Sequence, residues 1–200
     1  MRLLPLLLLV AACGTPRAPA PQASDGCAIA VDIRTRHPQE SQWGHPVAVF
    51  FARIGPGGNP LRGREILRSN HVSAGTAYLL DAEPGRYVAV GCIEKRDGRD
   101  VTTTFPEGLV AATERRVEAG GFAFLGSHEV DQEARPKEGD AGQAHYAPLI
   151  EPDWRRSDIA TRLFARSRYL YGSRHRALSG APDAEARARK HLAESGWQTG

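Results

Sequence analysis

Seven histidines are the residues of this 200-residue chain that most readily suggest chemistry, because imidazole is both a common metal ligand and a general base near neutral pH. Two histidines hold one ion most readily when they lie one helical turn apart, as in the pattern HExxH. His128 and Glu129 begin such a pattern, but Gln132 stands where the second ligand belongs. No two lie at metal-ligand spacing within one predicted helix, so we predict no metal site. The seven are His37, His45, His71, His128, His145, His175 and His191.

Nucleophilic and acid–base chemistry has no recognisable pattern either. The chain lacks the G-x-S-x-G turn of a serine nucleophile, and the glycine-rich run 55–60 ends in Asn-Pro rather than entering a phosphate-binding helix. Two carboxylates would have to converge in space to act as acid and base. We therefore predict no catalytic residues, with a small hydrolase built on converging carboxylates as the alternative. The acidic candidates lie on separate predicted turns and strands: Glu83, Glu94, Glu107 and Glu129.

The thiol of Cys13 closes an apolar leader. Arg2 precedes an apolar run over residues 3–10, and two alanines come directly before the cysteine. A transmembrane helix needs about 20 apolar residues, and this run has roughly half that number. It is typical of a cleavable export signal, so we predict that residues 1–12 are removed.

The segment that ends at Cys13 resembles the lipobox of bacterial lipoproteins, which a lipoprotein signal peptidase cuts immediately before a diacylated cysteine. The resemblance implies a mature chain that begins at Cys13 and carries two or three acyl chains. Two chains anchor a protein stably, whereas one binds a bilayer only marginally. Gly14 differs from the aspartate that retains such proteins at the inner membrane, so the resemblance implies a cell-envelope protein at the outer membrane.

Cys27 and Cys92 are the two remaining thiols. Export places them in an oxidising compartment, where a disulfide persists. A bridge would close a loop of about 65 residues and contribute ~4 kcal/mol in the chain-entropy model. The alternative is two separate buried thiols, since cysteine is often a small core residue.

The densest run of charge is basic and aromatic. Between Trp154 and Arg176, Asp158 is the only acidic residue. Such a helix suits an anionic membrane surface or a protein partner, and of these two functions we favour an envelope protein partner. Over both functions we favour a simpler interpretation, a solvated arginine face whose apolar side docks on the fold, because Ile159, Leu163 and Phe164 would otherwise have no core. The candidate surface comprises Trp154, Arg155, Arg156, Arg162, Arg166 and Arg168.

Composition excludes several other classes. Hydrophobic residues make up 41% and charged residues 24% of the chain, which is globular rather than disordered. The net charge of +3 is mild, and it does not indicate nucleic acid. We predict no nucleic-acid partner and no small-molecule cofactor.

Strand patterns fill the chain from Cys27 to Asp131. Ile29, Val31 and Ile33 alternate with small or polar residues, which predicts a strand with one buried face. A nearly continuous apolar run predicts a central strand at 47–54. Further strands are predicted at 65–68, 77–80, 86–93, 101–105, 115–117 and 122–126.

Two turns are predicted to make hairpins. Pro84 presets φ and Gly85 supplies a positive φ, so we expect 77–80 and 86–93 to pair directly. Asp97-Gly98 is a strong signal for a two-residue hairpin to the next strand.

Residues 75–126 resemble the transthyretin-like and carboxypeptidase-regulatory sandwich modules. The resemblance is carried by Gly75, Tyr78, Leu80, Pro84, Gly85, Tyr87, Val88 and Val90 and by a closing Val117-x-Ala119-Gly120. It implies a fold and no chemistry: the Pro-Gly makes a turn, and the tyrosine packs or caps a strand. This chain departs from those modules by adding a long C-terminal part.

The C-terminal part is predicted to be a loop followed by helices. Residues 131–140 are rich in charge and lack an apolar period, so we predict an exposed loop over residues 132–152. Asp153–Tyr171 places an apolar stripe on one helical face, with Gly172 as the stop. A second helix is predicted from Pro182 to Ala193, with Trp197 folding back as an apolar clasp.

Together these patterns predict a mainly β fold, an immunoglobulin/transthyretin-like β-sandwich of about seven strands with a C-terminal helical extension. The predicted order is a signal peptide (1–12), a lipidated and flexible tether reaching about 40 Å (13–26), the sandwich (27–131), a loop (132–152) and a helical segment (153–200). The function predicted is a non-enzymatic, membrane-anchored binding module; the alternative is a small cell-envelope hydrolase.

Overall fold

The computed structural model describes residues 16–37, 42–96, 98–133, 137, 139–151, 169–177 and 182–199. Over these residues the chain is mainly β, as predicted, with a few short helices. The strands are β1 (Cys27–Arg36), β2 (Ala48–Ile54), β3 (Glu65–Arg68), β4 (His71–Ser73), β5 (Thr76–Ala82), β6 (Gly85–Arg96), β7 (Arg99–Thr104), β8 (Arg115–Val117), β9 (Phe122–Glu133) and β10 (Tyr169–Ala177). The helices are α1 (Glu107–Ala112), α2 (Ala141–Ile150) and α3 (Pro182–Ala193), with a 3-10 turn at Pro60–Arg62.

The strands form two sheets that share β10. The first sheet has the order β4-β5-β1-β9-β10, and the second has the order β3-β2-β6-β7-β10 with β8 beside β6. The first three residues of β10 pair with β7, and the rest of the strand pairs with β9. β1 runs parallel to β9 and β10 runs parallel to β7, whereas the other pairings are antiparallel. One strand therefore connects the two sheets.

The main core draws side chains from both sheets. Ile29, Val31 and Ile33 of β1 are fully buried there, as the alternating pattern predicts, together with Phe51 of β2 and Val88 of β6. Burying an aliphatic or aromatic side chain of this size contributes about 1.5–3 kcal/mol. This shared core is the main source of stability in the described fold.

A smaller core covers the other face of the first sheet. Ala28 and Ala30 of β1 are fully buried against a cluster that includes Leu192 of α3 and Trp197. The prediction of one buried face for β1 is therefore wrong, because the C-terminal helix covers the face expected to meet water. α3 has the predicted bounds, and the apolar clasp predicted for Trp197 is confirmed.

Residues 16–22, which we call the N-terminal strap, pack against this C-terminal region. Ala18 is buried, and the Trp197 Nε1 atom donates to the Pro19 carbonyl at 2.8 Å. The Gln22 backbone N–H donates to the Asp81 carboxylate at 2.9 Å. The prediction of a flexible tether is wrong from residue 16 onward, because short apolar and backbone groups find partners that composition alone does not reveal.

The turn at Pro84-Gly85 does not make the predicted hairpin. β5 pairs with β1 and β4, whereas β6 pairs with β2, β7 and β8, so the turn carries the chain from one sheet to the other. Tyr87 caps this corner, since its hydroxyl donates to the Glu83 carbonyl at 2.7 Å. By contrast, the hairpin predicted at residues 97–98 is confirmed by the pairing of Arg96 with Arg99.

The predicted loop at 132–152 is wrong in two places. β9 continues to Glu133, and α2 occupies ten residues of the remainder. Asp140 begins this helix by accepting a hydrogen bond from the Gln143 N–H at 2.9 Å, which satisfies one of the donors left free at a helix start. The helix has no regular apolar period, and it is held by buried contacts of Tyr146 and Ala147.

The helix predicted over Asp153–Tyr171 is corrected at its C-terminal end. Tyr169–Ala177 is a strand that runs through Gly172, the predicted helix stop. Aromatic residues favour strands, and Gly172 is a poor helix former. Residues 152–168, which include most of the predicted helix, lie outside the described residues.

Candidate functional site

Four of the seven histidines meet in two pairs. His71 of β4 faces His191 of α3 with 2.9 Å between their Nε2 atoms. In the second pair, His128 Nδ1 of β9 lies 3.1 Å from His175 Nε2 of β10. Helical spacing in the sequence does not predict these pairs, because they form between elements that are distant in the chain.

The His71–His191 pair is a head-on contact between two imidazoles. The ring planes differ by 6° and the ring centroids are 5.2 Å apart. That separation is close to the nitrogen distance plus the two ring radii, so the rings meet edge to edge. One ring must donate an N–H and the other must accept it. The contact therefore requires at least one of the two histidines to be uncharged.

Tyr78 of β5 lies against both rings of this pair. Its ring centroid is 5.5 Å from that of His71 and 5.5 Å from that of His191. Burial raises the pKa of Tyr78 to about 12, so the phenol is neutral at physiological pH. Burial also lowers the pKa of His71, and the neighbouring His191 lowers it further. The surroundings thus favour uncharged imidazole.

The tautomers of the His128–His175 pair follow from a third contact. His128 Nε2 lies 3.0 Å from the Leu125 carbonyl oxygen, so this nitrogen carries the proton. When His128 is neutral, its Nδ1 accepts, and His175 Nε2 donates to it. Burial is the main cause that lowers the pKa of each of these histidines.

A bulge in β9 makes room for His128. Gly126 has a φ of +102°, and a Cβ atom there would lie 2.8 Å from His128 Nε2. The register between β1 and β9 shifts at the same place, between Ala30 and Asp32. A side chain at position 126 would meet both an unfavourable backbone conformation and the imidazole.

Among the described residues, no group of three or more His, Cys, Asp and Glu side chains is placed to hold a metal ion. What each pair offers is one proton shared or exchanged between two imidazoles, in the pH range where histidine changes charge.

A buried polar cluster links the two sheets. Gln132 of β9 donates through Nε2 to Glu94 Oε2 at 3.1 Å and to Thr103 Oγ1 at 2.8 Å. Arg96 Nη2 contacts the same Glu94 oxygen at 3.1 Å. Glu94, Thr103 and Gln132 are all buried. A buried carboxylate needs such charge-assisted partners, so the cluster fixes β6, β7 and β9 to one another.

The carboxylates considered for catalysis have separate surroundings. Glu83 is 74% exposed and pairs with Arg53, which also contacts Glu65 at 3.7 Å. Glu94 lies near the other end of β6, roughly 35 Å further along the extended chain at about 3.3 Å per residue. These two candidates therefore do not form an acid–base pair.

The two cysteines of the described fold are free thiols, so the bridge considered from the sequence is not present in this structure. Both Cys27 and Cys92 are separate buried thiols, which is the alternative considered from the sequence. Cys27 Sγ donates to the Glu118 carbonyl at 3.1 Å. Burial raises the pKa of both Cys27 and Cys92, which keeps both in the unreactive thiol form.

Two predicted sites lie outside the described residues. Cys13 precedes residue 16, and the basic and aromatic candidates from Trp154 to Arg168 fall within 152–168. Of the arginines beyond them, Arg174 of β10 pairs with Glu133 of β9.

Comparison with known proteins found no matching family model, no matching curated protein and no matching solved structure. Within the part of the chain that the structure describes, every helix is too short or too polar to cross a bilayer.

Proposed function

We propose that this protein is a lipid-anchored protein of the cell envelope that acts by binding, with acylated Cys13 as its attachment to the outer membrane. The leader and the alanines before Cys13 motivate the anchor. We further propose that the two sheets pack face to face as a sandwich of the immunoglobulin/transthyretin-like type. The core to which both sheets contribute supports this arrangement.

The observation that carries the proposal is the apolar leader that ends in Ala11-Ala12-Cys13, and the packing of the N-terminal strap determines the orientation that the anchor would impose on the domain. Only two residues separate Cys13 from Pro16, where the described fold begins. Three residue steps span about 10 Å at most, at roughly 3.3–3.6 Å per residue. A lipid on Cys13 would therefore hold the strap and α3 against the bilayer, with the far side of the domain presented outward.

Exposed cations on this end of the domain support the same orientation. Arg17 of the strap and Arg187 and Lys190 of α3 are exposed. Each cation close to an anionic membrane surface contributes about 1 kcal/mol to binding. Asp183 and Glu194 are exposed in the same region, so the cations support this orientation only where they, rather than the carboxylates, face the bilayer.

A binding function is supported by the way the buried polar groups are used. Glu94 is held by Gln132, and His128 is held by the Leu125 carbonyl and by His175. The hydrogen bonds of these groups hold parts of the strands to one another. The basic and aromatic segment from Trp154 to Arg168 is the proposed surface for an envelope protein partner.

Replacement of Cys13 by serine tests the anchor. We expect Cys13→Ser to abolish incorporation of a palmitate label and to move the protein from the membrane fraction to the soluble fraction. Cys27→Ser is the matched control, because that thiol is buried and is not expected to affect fractionation. Membrane retention and normal labelling of Cys13→Ser would refute the proposed anchor.

A further inference from the structure

We propose that the His71–His191 pair is an acid-sensitive latch, which holds α3 and the N-terminal strap over the first sheet and releases them when both imidazoles are protonated. This device would change which surface the protein presents, and it does not depend on the lipid anchor.

The pair is a polar contact in a largely apolar attachment of α3, in which the Arg189 guanidinium also lies over the Phe122 ring of β9, 4.9 Å from its centroid. Ala188 and Leu192 are the fully buried residues of the helix that pack on the smaller core. Trp197 adds a large buried ring to this attachment, which still draws on far fewer buried apolar side chains than the main core does. Loss of one polar contact can therefore shift the balance between the attached and detached helix.

The short distance between the two Nε2 atoms allows one N–H group between them and excludes two. With 2.9 Å between the Nε2 atoms, a neutral pair or a singly charged pair forms an N–H···N hydrogen bond. In the doubly protonated pair both nitrogens are donors, so two N–H groups and two positive charges face each other. The contact must then open.

The groups around the pair offer little to compensate the second charge. Tyr78 of β5 packs on both rings and is neutral. Asp32 of β1 and Arg187 of α3 act electrostatically on Tyr78 with opposite signs. On α3 itself, Lys190 adds positive charge next to His191, and Glu194 one turn later adds negative charge.

Release would uncover a defined apolar surface. The outer face of the first sheet contributes Ala28, Ala30, Tyr78 and Leu80 to the smaller core, with Phe122 and Phe124 partly buried beside them. The strap leaves with the helix, because Trp197 is hydrogen-bonded to the Pro19 carbonyl. The main core shares none of these residues, so the opening is local.

The direction of the pH dependence follows from the preference for neutral imidazole. The closed state disfavours the histidine cation. The closed state therefore has its full stability above the ordinary histidine pKa of about 6.5, where the imidazole is neutral in both states. The stabilisation is lost as the pH falls below that value, because the open state takes up more protons. The latch is closed at neutral pH and opens in acid.

Hydrogen exchange of the full chain, followed by mass spectrometry near pH 7.5 and near pH 5 and corrected for intrinsic rates, tests the latch. We expect exchange in 16–22 and 182–199 to become about tenfold or more faster relative to intrinsic at the lower pH, while β2 and β6 stay protected. Unchanged protection of 182–199 at pH 5 would overturn the proposal.

Variants of the pair separate protonation of the latch from general acid destabilisation. His71→Gln keeps an uncharged hydrogen-bonding group, and His191→Phe keeps an apolar ring; we expect 182–199 to remain protected near pH 5 in at least His191→Phe. His175→Gln, the same type of change in the other pair, should retain the acid-induced opening. If the opening near pH 5 persists in His191→Phe, the pair is not the latch.

Discussion

At the scale of single residues, Gln132 is the polar side chain whose role the structure defines most closely. Its side chain extends from β9 of the first sheet, and its amide donates to both Glu94 and Thr103 of the second sheet. We expect Gln132→Leu to lower the free energy of unfolding by roughly 1–3 kcal/mol, because a buried carboxylate oxygen loses a donor. Urea denaturation at pH 7 measures the change.

Gln132→Glu provides the complementary test. It places a second carboxylate beside Glu94, so we expect a larger loss of stability at pH 7 and partial recovery as the pH falls and one carboxyl is protonated. A Gln132→Glu protein as stable as Gln132→Leu at pH 7, with no recovery in acid, would contradict the proposed contact.

Gly126 and Gly108 make a matched pair for the bulge in β9. Gly126 has a positive φ and faces His128, whereas a Cβ at Gly108 of α1 would meet nothing within 4 Å. We expect Gly126→Ala to destabilise the fold by roughly 1–3 kcal/mol. Gly108→Ala should be neutral or stabilising by up to about 1 kcal/mol. Equal effects in thermal denaturation would argue against the crowding at His128.

Some residue roles could be predicted from the sequence, and others could not. The tyrosine after the Pro-Gly turn was predicted to pack against or cap a strand, and Tyr87 is buried and donates to the carbonyl of Glu83, only four residues away. His71 and His191 are 120 residues apart. No local pattern encodes such a contact, since it depends on where β4 and α3 lie in the fold.

At the scale of elements, α2 depends on Tyr146 for its position. The Tyr146 side chain is fully buried, its hydroxyl donates to the Pro60 carbonyl, and it accepts from the Gly63 N–H at 3.1 Å. We expect Tyr146→Phe to cost roughly 1–3 kcal/mol, because the buried Gly63 N–H and the partly buried Pro60 carbonyl lose their partner. Leu149→Ala, at a partly exposed position on the same helix, should cost less than about 0.5 kcal/mol by the same chemical denaturation. A larger loss from Leu149→Ala than from Tyr146→Phe would contradict this account of α2.

The strands were predictable where periodicity is strong, and their partners were not. Alternation located β1, and an Asp-Gly signal located the turn between β6 and β7. The turn at Pro84-Gly85 has equally good turn chemistry, yet it joins two sheets. A turn fixes the local direction of the chain, whereas pairing is decided by burial of both faces of each strand across the whole fold.

At the scale of the whole molecule, burial lowers the pKa of three histidines and so makes the stability of the fold sensitive to acid. They are His71, His128 and His175. In the unfolded chain these histidines bind protons at an ordinary pKa of about 6.5, whereas in the folded chain they bind protons less readily. The free energy of unfolding therefore falls as the pH drops below that value. We expect the free energy of unfolding to be lower at pH 5.5 than at pH 7.5 in urea titrations. Equal or higher stability at pH 5.5 would contradict the burial of these imidazoles.

The strap also belongs to this scale, because it decides how far the domain stands from its proposed anchor. Proline-rich composition predicted a long spacer, but Ala18 and Pro19 pack under Trp197. We expect a flexible insertion of about ten residues after Gly14 to increase the distance between a fluorophore on α3 and labelled lipid by tens of ångströms at most. An unchanged energy-transfer efficiency would show that the strap end does not face the bilayer in the original protein.

Mass spectrometry of the amino terminus of the protein isolated from its native membrane tests the central claim most directly. The account predicts a chain that begins at Cys13 and carries the added mass of two or three acyl chains. A chain that begins at an unmodified Met1, or one cleaved elsewhere with an unmodified Cys13, would contradict it.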